Sequence, residues 1–109
     1  MASAAPMPDD VAFRLLGGAA VGRVALSARA MPRIVPVRLS LVASLIAAEL
    51  RSDHDLGAAL DRAVVALQAD GIEDGTRPWS VHVLGRVTDR SGDVFVVEPS
   101  MIEGSWLGS

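Results

Sequence analysis

Residues 79–87 read WSVHVLGRV, and their alternation is the strongest constraint in the chain. Trp79, Val81, Val83 and Val87 project to one side, and Ser80, His82 and Arg86 project to the other. A period of two is the signature of a strand with one apolar and one polar face, and a helix cannot reproduce it. Weaker versions of the pattern recur along the chain. Strands are predicted over 21–27, 33–42, 44–51, 63–70, 79–87 and 94–98. Turns are expected at 28–31, 42–44 and 90–93, a polar loop over 71–78, and an unpaired tail over 99–109. Pro32 and Pro36 interrupt the second strand, which places an edge or bulge there and leaves backbone groups free for a ligand.

Two helical segments are expected. Asp9 or Asp10 can cap a short one over 11–16, stopped by Gly17 and Gly18. In 52–62, Leu56, Ala59 and Leu60 lie at helical spacing behind a Ser52 or Asp53 cap. A doubly wound parallel sheet would need a crossover helix after nearly every strand. The expected fold is therefore mainly β: a six-stranded antiparallel split β-barrel with one or two short helices. The 109 residues suffice for one domain, 9–109, preceded by a disordered leader at 1–8. Half the residues are hydrophobic, yet only Phe13, Trp79, Phe95 and Trp106 are aromatic. The core must be aliphatic and modest, which makes a second subunit a natural source of further burial.

The residue types that are missing narrow the chemistry. Without Cys there is no thiolate nucleophile or thiolate metal site. Without Lys there is no Schiff base to pyridoxal phosphate and no P-loop lysine, and without Tyr there is no phenolic proton donor. All ten cationic side chains are Arg, so any anion is held by guanidinium or backbone N–H groups. The net charge of −3 comes with no basic stripe, which argues against a nucleic-acid partner. No apolar run approaches the ~20 residues of a membrane span, and the first eight residues lack the basic start and apolar centre of a secretion signal. A cytoplasmic protein is expected.

Three constellations were weighed. His54 between Asp53 and Asp55 has metal-ligand residue types, but the plainer reading is a solvated helix cap, and no metal is expected. The carboxylates Glu49, Asp70 and Glu98 have no spacing that forces an acid–base pair. Arg51-Ser52 leaves a strand and enters a helix, where a guanidinium, a hydroxyl and free N–H groups can receive a phosphate.

The series of segments resembles the pyridoxamine 5′-phosphate oxidase-like, flavin-binding split-barrel family, in particular its short actinobacterial members. VGRVALS at 21–27 resembles the first strand, and PRIVPVRL at 32–39 the P-x-x-x-P-V strand. ELRS at 49–52 resembles the F-R-T strand end, and AVVALQADGIED at 63–74 the V-x-F-E-V-D strand with its acidic turn. WSVHVLGRV is similar to G-W-S-V-x-V-x-G-x-A, and VFVVEPSMIEG at 94–104 to the closing strand. The resemblance implies a homodimer with two interface grooves that hold FMN, or in some relatives a deazaflavin or haem. It implies a flavin-dependent oxidoreductase acting on a small molecule. Arg51 and Ser52 take the phosphate-binding positions, Pro36, Val37 and Arg38 flank the isoalloxazine, and Trp79 and Ser80 match the interface strand.

Three departures accompany it. Asp53–Asp55 stand near the family's phosphate lysine, Gly104-Ser105-Trp106 lacks the usual Arg, and the connection before the last strand is only a turn. They motivate the alternative of a non-catalytic dimer that has lost the flavin and serves as a binding or interaction protein.

Overall fold

The computed structural model describes residues 5–50 and 56–108. In chain order these form β1 (Ala5–Pro6), α1 (Asp9–Gly18), β2 (Gly22–Ala28), β3 (Met31–Val42), β4 (Leu45–Leu50), a short 3-10 helix (Gly57–Leu60), β5 (Val64–Glu73), β6 (Arg77–Ser91) and β7 (Val94–Trp106). All pairings are antiparallel, in the order β1-β7-β4-β3-β2-β5-β6. Because β6 also pairs with β7, the six long strands form a closed ring, as the alternation requires: each apolar face turns inward and no long edge is left bare.

The inward faces make one aliphatic core. Val24, Val35, Val37, Ile46, Leu67, Val81, Val83 and Phe95 are all under 2% exposed, and no polar side chain among the described residues is buried with them. Ala12, Leu15 and Leu16 of α1 close one end. Leu16 is wholly buried, so the helix is held by its apolar stripe. No helix among the described residues is long and apolar enough to cross a membrane.

Four expectations differ from the structure. The loop predicted over 71–78 is a hairpin: Gly71 pairs with Trp79, Ile72 with Pro78 and Glu73 with Arg77, leaving Asp74–Thr76 as the turn. Its polar and glycine-rich composition hid strand ends that pairing extends. The tail from residue 99 is instead the second half of β7, which runs to Trp106 along β6. The helix over 52–62 shrinks, within the described residues, to the 3-10 helix Gly57–Leu60, bounded by positive φ at Gly57 (45°) and Arg62 (57°) that an α-helix cannot accept. At the N-terminus, Ala5–Pro6 pairs with Ser105 and Trp106, and Met7 is buried against Gly104.

Candidate functional site

β3 is the element around which a site can form. From Met31 to Val37 it is laddered to β2, but its pairing with β4 begins only at Val37, opposite Leu50. Residues 31–36 therefore have one open side, and Pro32 and Pro36, which lack an N–H, sit within that stretch, as the prolines suggested.

Three cavities follow the strand. One of about 600 Å³ lies at the β2–β3 turn, between Arg29 and Arg33 on one side and Leu56–Ala59 on the other. A second of about 380 Å³ is lined by Ala20, Val21, Pro36, Val37 and Arg38. A third of about 250 Å³ lies between Arg38 and Ser40 of β3, Ala47 and Glu49 of β4, and Val94 of β7. Arg38 borders the last two.

Electrostatically the strand is a cationic rail. Arg29, Arg33 and Arg38 have no ion-pair partner among the described residues. Two guanidiniums facing one cavity repel each other until an anion joins them, and their forked donors suit phosphate or carboxylate. Arg29 is held there by the turn: with Ala28 opposite Met31, the two-residue connection places Arg29 (φ 53°) and Ala30 (φ 63°) in the left-handed region. A right-twisted hairpin demands that conformation, and non-glycine residues adopt it at a cost of about 1–3 kcal/mol each. Sequence reasoning missed Arg29 and Arg33. Positive φ in a non-glycine turn has no sequence signature, and only the tertiary structure brings the 3-10 helix to face them.

The predicted site residues separate into groups. Pro36 and Arg38 project outward from β3, whereas the Val37 side chain is wholly buried in the barrel, so only its backbone can meet a ligand. Trp79, at 4% exposure, also points into the core. Ser80 lies half-buried on the outer face of β6, where its Oγ accepts from Gln68 Nε2 at 3.4 Å. β3 and β6 are separated by β2 and β5, about 14 Å of sheet. One chain does not bring Trp79 and Ser80 to Pro36 and Arg38. Arg51, Ser52 and the Asp53–His54–Asp55 segment lie outside the described residues. No group of three or more metal-ligating side chains occurs among the described residues.

Both ends of the 51–60 connection are fastened to the β6–β7 hairpin. The Leu50 N–H donates to the Asp93 carbonyl at 2.9 Å. Beyond the 3-10 helix, Arg90 grips Asp61 with two donors, Nε to Oδ1 at 2.8 Å and Nη2 to Oδ2 at 3.4 Å. Those hydrogen bonds, aided by the guanidinium charge, hold the Asp61 carboxyl below its ordinary value against a small opposing effect of desolvation. On the outer face, Arg23 of β2 donates to Gln68 of β5 at 3.4 Å, and His82 of β6 pairs with Glu103 of β7 at 3.2 Å.

Comparison with known proteins fits this architecture. The family model described as pyridoxamine 5′-phosphate oxidase matches residues 8–94. No curated protein matches the chain. Among solved structures, an FAD-binding protein from Mycobacterium smegmatis superposes with a TM-score of 0.78 at 20% identity, covering 96% of this chain and 99% of that one. An FAD-binding protein from Mesorhizobium loti superposes with a TM-score of 0.79 at 15% identity, covering all of both chains. A conserved protein of unknown function from Corynebacterium diphtheriae gives 0.74 at 14% identity, covering 95% and 98%. At such identities the likeness is one of fold.

Proposed function

The chain belongs to the pyridoxamine 5′-phosphate oxidase family, and from that premise we propose that it is a flavin-dependent oxidoreductase that works as a homodimer and holds a flavin nucleotide along the outer side of β3. The observation that carries the reading is the rail of unpaired arginines beside an open strand edge. Arg29 and Arg33 suit the phosphate, together with Arg51 and Ser52 from the adjoining connection. Pro36, the Val37 backbone and Arg38 border the groove for the ring. From Arg33 to Arg38 is about 16 Å of extended strand, the scale of a flavin mononucleotide. Trp79 and Ser80 belong to the strand that would meet a partner, Trp79 as an anchor beneath the surface. A bound flavin supplies the electron and hydride chemistry, and the protein supplies placement and electrostatics. That division suits a chain without Cys, Lys or Tyr. FMN is the cofactor the sequence resemblance implies, and the two FAD-binding proteins of like fold make FAD the second flavin to test.

One observation favours a second reading. β6 and β7 are joined directly at residues 91–94, with Gly92 at positive φ, so nothing inserted there walls the groove. On that reading the chain is a non-catalytic dimer that binds no flavin.

Titration of FMN and of FAD with the purified protein separates the two. The flavin reading expects quenching of flavin fluorescence and a visible absorbance that survives gel filtration. Arg33→Ala and Arg29→Ala should each weaken binding about 10- to 100-fold, the equivalent of one charge-assisted hydrogen bond of roughly 1.5–3 kcal/mol. Absence of quenching by either flavin selects the second reading.

A further inference from the structure

We infer that a second copy of this chain docks on the outer face of β2, β5, β6 and β7, related by a two-fold axis running parallel to the strands. The inference deepens the homodimer reading above and rests on it for the existence of the partner.

Strand register defines the face. Ala25 lies opposite both Ile34 and Ala66, Ala66 opposite Leu84, and Leu84 opposite Met101, so five apolar residues form one row across five strands. Ile34 is 71% exposed, and Leu84 and Met101 are 38% exposed. An unbroken apolar row on the outside of a barrel whose core is already complete is unfavourable in water unless something covers it.

The rows on either side indicate what covers it. Above runs Arg23, Gln68, His82, Glu103, and below runs Ser27, Val64, Arg86, Glu98. In the upper row the cation stands on β2 and the acid on β7. A two-fold axis parallel to the strands keeps each row at its own height and reverses the strand order. It lays apolar row on apolar row and turns the Arg23 flank of one copy toward the Glu103 flank of the other, twice. The perpendicular in-plane axis would instead exchange the upper and lower rows and set Glu103 against Glu98. The face is thus complementary to itself in one orientation and repels itself in the other, as expected for an isologous contact.

The chain has no cysteine, so single-cysteine variants report position cleanly. With sheets packed about 10 Å apart, the two copies of residue 84 would lie about 10–12 Å from each other, within reach of a short bismaleimide. In the full chain, Leu84→Cys should crosslink into a covalent dimer, and Val42→Cys, on the far side of the barrel and 55% exposed, should not. Arg23→Glu and Glu103→Arg should each raise the dimer dissociation constant about fivefold or more by light scattering and sedimentation. Mixing the two variants should restore a heterodimer, because both facing pairs again become opposite in sign. Circular dichroism of each variant establishes that it is folded. A wild-type chain that is monomeric at 100 μM overturns the face and the dimer reading together. A wild-type dimer that crosslinks through Val42→Cys, or that keeps its affinity in both charge variants, overturns the face and leaves the dimer standing.

Discussion

Replacing Trp79 distinguishes an anchor in the core from a stacking surface for a ligand. The indole is 4% exposed and lies across Gly71 of the neighbouring strand: a Cβ at position 71 would come within 2.5 Å of Cζ2 and 2.9 Å of Nε1. A buried tryptophan removes about 150–250 Å² from water, or roughly 4–6 kcal/mol at 25 cal/mol/Å². Truncation to alanine in cores typically costs about 3–5 kcal/mol, since part of the surface remains and the cavity partly relaxes. A domain of this size has a total stability of about 5–15 kcal/mol. Trp79→Ala should therefore lower the melting temperature by at least about 12 °C, at roughly 4 °C per kcal/mol. It should also move the urea midpoint strongly, both followed by far-UV circular dichroism. Trp79→Phe should recover most of that stability and leave flavin affinity within about threefold, because the ring does not reach the β3 groove. If Trp79→Ala melts with the wild type, the anchoring argument is wrong. If Trp79→Phe is stable yet loses flavin, the side chain touches the ligand in the assembled protein and its burial in a single chain misleads.

Gly85 should tolerate no side chain: a Cβ there would lie 2.5 Å from Val97 Cγ1 and 2.6 Å from the Glu98 carbonyl oxygen, at the register shift between Leu84 and Gly85. Since backbone cannot move aside as a side chain can, Gly85→Ala should destabilise by about 1–3 kcal/mol despite the lower entropy cost of alanine, and a neutral or higher urea midpoint would refute the contact. For Asp61, whose carboxyl the Arg90 hydrogen bonds hold below its ordinary value, the folded state favours the ionised form. Its contribution is present above the unfolded value near pH 4 and is lost as pH falls through the lower folded value. In an NMR titration, Arg90→Ala should move the Asp61 midpoint up toward that of an unperturbed aspartate, and an unmoved midpoint would show that the pair is not held in solution. The urea midpoints of wild type and Asp61→Asn should differ modestly at neutral pH and converge in acid.

Much of the fold was legible because strand alternation is a local property. Val24, Val35, Val37, Ile46, Leu67 and Val81 are buried where the two-residue period puts them, and the six long strands appear in the predicted order. The ends of the strands were not legible. Ile72 and Glu73 belong to β5 only because Pro78 and Arg77 lie opposite them, and residues 99–106 belong to β7 only because β6 runs alongside. Hydrogen bonds between residues distant in sequence create those lengths, and no local pattern encodes them. The candidate site divides the same way. Pro36 already marked an open strand, whereas Arg29 and Arg33 acquire a role only when the hairpin turn and the 3-10 helix close on one cavity.

By itself, then, the sequence settled which residues face inward, that the chain is built of strands, and which reactive groups are unavailable, since these follow from side-chain chemistry and a two-residue period. Tertiary structure decided which strands are neighbours, where β3 lies open, and which arginines share a cavity. Those depend on long-range pairing, whose free energy appears only once the ring has closed.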